Sequence, residues 1–402
     1  MTDPECPPVA PPRPQHRSVH GVRLDDPYAW LRDANWREAM REPDQLDSDI
    51  RAYLEAENAH TDAQMAASRP LQAELLAEMR GRILEKDASV PSPHGPWQYY
   101  ARFRKGGEHA VYCRRPRDGG DEQILLDAEA QARGRAYYRL AAVAHSNDHR
   151  LLAWSLDESG AEVFTLQVCD IASGEAVGPP VPETAGQVVW SADSSTLFFT
   201  TLDENHRPCR VWRLAVGAEP DTAELVYEEP DPGFFVGVGE TQSERFIVID
   251  AHDHETSEVR LIDSAQPWSA PRVIAPRDPG VEYSLEDDGN TLVILTNADG
   301  AEDFKLVTAP LDDPGRANWR DLVAHEPGRL ILGHTVLARH HLRMERVDAL
   351  PRIVITAKAD NETHAIEFAE QAYALGMDPG MEYDTDTIRF VYSSPTRPDE
   401  VY

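Results

Sequence analysis

A strand-forming unit recurs along most of this chain at a spacing of roughly 47 residues, and no other feature restricts its fold as much. Each unit opens on a polar turn with Asp or Asn, enters a β-branched or aromatic run, turns again and continues into a further strand. The first runs start at Leu151 after Asn147-Asp148, Leu197 after Asp193-Ser194, Phe246 after Ser243-Glu244 and Leu292 after Asp288-Gly289-Asn290, separations of 46, 49 and 46 residues. A later run starts near Val336, 44 residues on, and Ile388 to Tyr392 follows after another 52. A unit of that size holds four short strands and buries its faces only against its neighbours, as the blades of a β-propeller do. A long β-sandwich also spaces its strands by about 8–12 residues. It does not impose a sustained period with the same order of features in each unit, so the pattern predicts a propeller.

Ahead of the repeat the period is that of a helix. Ile50, Tyr53 and Leu54, then Leu71, Leu75, Met79 and Ile83, fall at spacings of three and four, which predicts two amphipathic helices between about Asp47 and Lys86. Asp47 or Ser48 can cap the first, and Ser68 with Pro70 in the opening turn can cap the second. Val90 to Pro96 carries Pro91, Pro93, Gly95 and Pro96 and cannot continue a helix. We place a boundary there: residues 1–90 form a Pro-rich arm and helical cap, and residues 91–402 the propeller. From Trp97 the period becomes two, with Gln98 to Phe103, Lys105-Gly106-Gly107 and Ala110 to Arg114 reading as strand, turn and strand.

Charge and cysteine usage narrow the partners. Seventy acidic residues against 39 basic give a net charge of -31, which repels phosphate backbones and anionic headgroups, so neither nucleic acid nor membrane is expected as a partner. Cys6, Cys113, Cys169 and Cys209 are separated by 107, 56 and 40 residues and form no CxxC pair. No apolar run has the length of a signal peptide or a membrane span. A soluble cytoplasmic protein with free thiols is expected.

Catalytic motifs are missing. There is no Gly-x-Ser-x-Gly, and Ser159-Gly160 and Ser173-Gly174 read as ordinary hairpin turns. His252-Asp253-His254 places two imidazoles on one strand face, and His340-His341 lies in another β segment, but neither has the further spaced ligands of a metal site. Asp287-Asp288 and Asp312-Asp313 read as turn carboxylates that cap their own backbone. Gly237-Val238-Gly239 lacks the third glycine and helix of a dinucleotide fingerprint. No catalytic residue, metal site or cofactor is expected in this chain.

Several segments in order nevertheless resemble one family. His20-Gly21-Val22-Arg23-Leu24-Asp25-Asp26-Pro27-Tyr28-Ala29-Trp30-Leu31-Arg32-Asp33 is similar to the amino-terminal signature of the prolyl oligopeptidase family of serine peptidases. Tyr53-Leu54-Glu55-Ala56-Glu57-Asn58, Gln123-Ile124-Leu125-Leu126-Asp127, Val211-Trp212-Arg213, Leu225 to Glu229, Thr256 to Arg260 and Arg389 to Thr396 continue the likeness in family order. Glu57-Asn58 and Tyr392-Ser393-Ser394 lean toward its oligopeptidase B (protease II) branch. The resemblance implies a mainly β chain: a seven-bladed propeller preceded by amphipathic helices, its last blade incomplete at Tyr402. It also implies an α/β-hydrolase domain, absent from this chain, that would carry the Ser, Asp and His of the triad downstream of Tyr402 and against which residues 1–90 would pack.

By that resemblance the complete protein hydrolyses short peptides after Arg or Lys, with the propeller as a size-restricting lid, while the chain alone is inactive. The implied partners are its own hydrolase domain and short basic oligopeptides, and the implied cofactor set is empty. Post-proline specificity and a stand-alone, non-catalytic peptide-binding propeller are the alternatives. The substrate-binding residues are not legible at this stage, because inward and outward faces differ by one residue of register.

Overall fold

Asp47 fixes the start of the longest helix. In the computed structural model, which describes residues 6–402, its Oδ1 accepts the backbone N–H groups of Asp49 at 2.9 Å and Ile50 at 3.2 Å, two of the donors a helix start leaves unpaired. The first five residues of the Pro-rich arm lie outside the described residues. The helix runs Ser48–Met65, passes through a single 3₁₀ turn, Ala66–Ser68, and continues as Arg69–Gly81. Ser68 does not cap the second helix as expected. Its backbone is itself helical, and its hydroxyl donates back to the Met65 carbonyl at 2.8 Å. Leu71, Leu75, Met79 and Ile83 stand between 46% and 64% exposed, an apolar stripe facing water. With a hairpin of His16–Val19 and Val22–Asp25, these helices belong to a first compact unit, residues 6–87 with Ser159–Ala161.

The second unit, Ala88–Glu158 with Glu162–Tyr402, is built of antiparallel sheets in chain order. Four-stranded sheets start at Ser92–His94, Phe235–Glu240, Tyr283–Asp288 and Arg329–Val336, and a three-stranded sheet starts at Ala374–Asp378. Between the first and second of these lies one continuous seven-stranded sheet from Arg139–His145 to Glu224–Glu228. The seven separate blades implied by the resemblance are therefore corrected to five discrete blades, with the rest of the strands fused.

The fusion has a local cause. Val181–Trp190 is ten residues long and pairs through Val181 and Thr184 with Phe164–Asp170, then through Thr184 and Val188 to Trp190 with Thr196–Leu202. A register shift between Thr184 and Val188, with Glu183 and Gly186 at positive φ, lets one strand serve both neighbours.

The expected runs at Leu151, Leu197, Phe246 and Leu292 all fall in the second strand of a hairpin: Leu151–Asp157, Thr196–Leu202, Phe246–His252 and Thr291–Thr296. The run placed near Val336 is misaligned. Val336 ends the strand Arg329–Val336, and after a short turn the next begins at His340, where the sequence of His340–Val347 carries too many polar residues to read as an apolar run.

Apolar clusters sit between successive sheets. Phe246, Val259 and Leu261 pack with Tyr283, Leu285, Leu292 and Ile294 of the following sheet, and Val189, Phe198 and Val211 pack with Val236, Ile247 and Ile249. Each fully buried Leu or Ile there contributes about 1.5–3 kcal/mol. The last sheet meets the first through polar groups: Arg117 Nη1 bonds Glu382 Oε1 at 2.5 Å, and Arg389 donates to the carbonyls of Val90 and Pro91. Among the described residues, no helix is long and apolar enough to cross a membrane.

Candidate functional site: an acidic channel

The strands that lead the sheets wall a channel. Gln187, Gly237 to Glu240, Glu282 to Leu285 and Leu330 to Leu332 line a cavity of about 750 Å³. Glu240 is shared with a second cavity of about 330 Å³ lined by His94, His145, Trp190, Gln242, Glu244 and Glu286, among others. The larger cavity also reaches between sheets, where Val248, Asp250 and Val259 of the second and third strands line it, and Val238, Tyr283, Leu285 and Ile331 belong both to its wall and to the clusters between sheets. Gly237-Val238-Gly239 is thus channel wall: Val238 is buried, and the two glycines leave the lumen wide.

The lumen is acidic. Glu240, Asp250, Asp253 and Glu282 line the larger cavity, and Glu240, Glu244 and Glu286 the smaller. Neither cavity is lined by Lys or Arg among the described residues. Burial pushes Glu286 up to about 7, with Asp287 adding to the rise and the Gln242 N–H, 2.8 Å from Glu286 Oε2, opposing it. Burial and the Glu244 charge likewise raise Glu240 to about 7, against His94. Glu240 stays open to channel water, so its shift carries less energy than that of Glu286.

The residues weighed from sequence scatter. His252 ends its strand with Nδ1 2.8 Å from Asp250 Oδ2, while His254 lies exposed in the following turn, so the two do not share a strand face. His340 and His341 open the strand His340–Val347, and His341 Nε2 lies 2.8 Å from Asp288 Oδ2. Asp287 and Asp288 are not turn residues. They end the strand Tyr283–Asp288, with Asp287 buried and bonded by Ser243 and Arg245. Burial would raise Asp288, but hydrogen bonds from His341 and Lys358 outweigh it and hold the carboxyl below its ordinary value. Ser159-Gly160 and Ser173-Gly174 lie in connections between strands, as does Asp312-Asp313. None of these groups forms a nucleophile–base pair.

Sequence reasoning passed over the imidazoles that do meet. His94 ends the leading strand of the first sheet, His145 ends Arg139–His145, and His149 lies in the turn that follows at φ 62. Burial and the neighbouring His94, His149 and Arg114 charges push His145 down to about 3. A carboxylate partner, Glu244, instead raises His94. The four-residue spacing of His145 and His149 was the only signal in the sequence.

The propeller, its preceding helices and the acidic lumen together define the class. The chain belongs to the prolyl oligopeptidase family: residues 7–402 match its N-terminal β-propeller domain. It is 36% identical to dipeptidyl aminopeptidase BI of Pseudoxanthomonas mexicana, over 96% of this chain and 54% of that protein. Protease 2 of Moraxella lacunata is 28% identical, over 98% of this chain and 56% of its own length. The fold superposes on oligopeptidase B from Leishmania major with a TM-score of 0.91 at 28% identity, covering 99% of this chain and 58% of that one. The chain therefore spans about half the length of the curated relatives it matches, and its matched residues are those of the propeller domain.

Proposed function

We propose that the chain is the lid portion of a cytoplasmic serine-type oligopeptidase that, joined to an α/β-hydrolase domain, cleaves short peptides after Arg or Lys. The observation that carries this reading is the lumen: Glu240, Asp250, Asp253 and Glu282 line the larger cavity, Glu240, Glu244 and Glu286 the smaller, and no Lys or Arg faces them among the described residues. Such a channel concentrates cationic peptides through its field and excludes folded chains through its aperture. The oligopeptidase B likeness supports the same specificity. Four cysteines without a disulfide suit a reducing compartment. The acyl-enzyme chemistry would belong to the hydrolase domain.

A second reading has its own support. The 36%-identical relative is named a dipeptidyl aminopeptidase, which suggests removal of dipeptides from free amino termini. The test uses the full-length protein that carries this chain. An amino-blocked diarginyl reporter, a dipeptidyl reporter with a free amino terminus and a prolyl reporter are compared at low and high salt. Turnover of the blocked arginyl reporter that falls as salt rises through about 0.1 M, where the Debye length is near 10 Å, supports the proposal. Turnover confined to the free-terminus reporter moves the assignment to the second reading, and turnover of the prolyl reporter or of none overturns both.

A further inference from the structure

We propose that His94, His145 and His149 form a binding site for a divalent transition-metal ion of the zinc class. One nitrogen from each ring lies within 4.8 Å of the others, and His94 Nδ1 is 2.8 Å from His145 Nε2. The ring centroids are 5.0, 5.0 and 5.5 Å apart. Three imidazoles on one tetrahedral ion, with metal–nitrogen bonds of about 2.0–2.1 Å, hold their centroids about 5 Å apart, so the centroids stand at ligand spacing, and the nitrogens, all within 4.8 Å of one another, adjust to about 3.4 Å around the ion. The closest nitrogen pair need only open by about 0.5 Å as the ion replaces the hydrogen bond between them.

The outer groups are those a metal-bound histidine uses. His94 turns its other nitrogen, Nε2, to Glu244 Oε1 at 3.1 Å, and His149 turns Nδ1 to the Tyr99 hydroxyl at 2.9 Å. A carboxylate or hydroxyl on the far nitrogen fixes the tautomer and orients the ring. Tyr99 also stacks on His145 at 3.7 Å, holding that ring from its face. Gly95 is the fourth element of the cradle, since a Cβ there would stand 2.6 Å from His149 Nε2, on the nitrogen left for the ion. Against the site stands Arg114, whose guanidinium bonds the His149 carbonyl at 2.5 Å. The Glu244 and Glu240 carboxylates lining the adjoining cavity offset that charge.

An all-imidazole set selects Zn(II), Co(II), Ni(II) or Cu(II) over Mg(II) and Ca(II). His94 belongs to the first sheet and His145 and His149 to the seven-stranded one, so the ion would cross-link two sheets at the channel end.

Isothermal titration of the tag-free chain with zinc chloride, then with magnesium chloride, tests the site. One zinc ion per chain, no magnesium binding and a zinc-dependent rise in melting temperature are expected. His145→Ala should abolish the binding, and Glu244→Gln, which removes the carboxylate charge behind the His94 ring, should weaken it by about 10-fold. Cobalt substitution guards against a misfolded variant: the unmodified chain should show the visible bands of a tetrahedral cobalt site with nitrogen ligands. Absence of stoichiometric zinc binding, zinc binding unchanged in a folded His145→Ala, or only octahedral cobalt spectra would each overturn the proposal.

Discussion

Removing the Glu345 carboxylate should destabilise the second unit by about 3 kcal/mol, at the lower end of the range for breaking a buried ion pair. The side chain is fully buried at 0% exposure, on His340–Val347 and directly opposite Arg352 in the ladder. Its Oε2 accepts from Arg343 Nε at 2.8 Å and its Oε1 from Arg352 Nε at 2.6 Å, with Arg329 Nε at 4.0 Å. Burial alone would raise this carboxyl, yet the Arg343 and Arg352 guanidinia outweigh it and hold the group below its ordinary value.

Glu345→Ala leaves Arg343, 13% exposed, without its acceptor. Arg352 is more open and can turn to water, which is why the lower end of the range applies. Urea denaturation followed by tryptophan fluorescence should show the midpoint falling by about 1 M. The pH dependence gives a second readout. A carboxyl whose folded pKa is depressed adds stability that is present above its unfolded value near 4.5 and lost as pH falls through the folded value. Glu345→Gln should flatten that acid limb. The double variant Arg343→Met/Glu345→Leu should recover most of that loss, since it removes the most buried of the paired cations together with the anion, while Arg352 turns to water and Arg329 keeps its ion pair with Glu326. A Glu345→Ala loss below about 1 kcal/mol, or an unchanged acid limb in Glu345→Gln, would refute the account.

Two further predictions follow from the channel and from the meeting of the first and last sheets. Glu286 is raised to about 7, so the stability linked to its neutral form is present below pH 4.5 and lost as pH rises through 7. Glu286→Gln should therefore stabilise the chain at pH 8 by about 1–3 kcal/mol and leave it unchanged at pH 4, and equal melting shifts at both pH values would count against it. Arg117→Ala with Arg389→Ala removes side-chain bonds between the last sheet and the residues flanking the first, about 1 kcal/mol each. Limited proteolysis should then cut the last sheet faster, and unchanged digestion would mean that apolar packing alone seats it.

The β-rich second strands were legible from sequence because each combines an apolar run with a turn just before it. Leu151, Leu197, Phe246 and Leu292 each open or closely follow the start of such a strand. The blade count was not legible. Whether Val181–Trp190 ends one sheet or joins two depends on a bulge between Thr184 and Val188, and a bulge changes pairing without changing the apolar pattern. Asp287-Asp288 misled because Asp before Gly289 is ordinary turn chemistry, whereas here Ser243 and Arg245 neutralise the cost of carrying Asp287 into a strand. The lumen carboxylates escaped notice because Glu240 ends the strand Phe235–Glu240 and Glu282 only precedes the strand Tyr283–Asp288 of the next sheet, so the two meet only where the sheets face one cavity. His94 and His145 are 51 residues apart and meet only where two sheets abut.

The shared strand Val181–Trp190 also bears on how the molecule breathes. Where sheets are discrete, the amide ladder ends at each sheet's edge, so one sheet can open and exchange its hydrogens with solvent while its neighbours stay closed. Between Arg139 and Glu228 the ladder has no such break. Amides of Leu151–Asp157 and Thr196–Leu202, on opposite sides of the shared strand, must then lose protection together. Hydrogen exchange should therefore show that stretch opening as a single cooperative spine, with the discrete sheets opening around it.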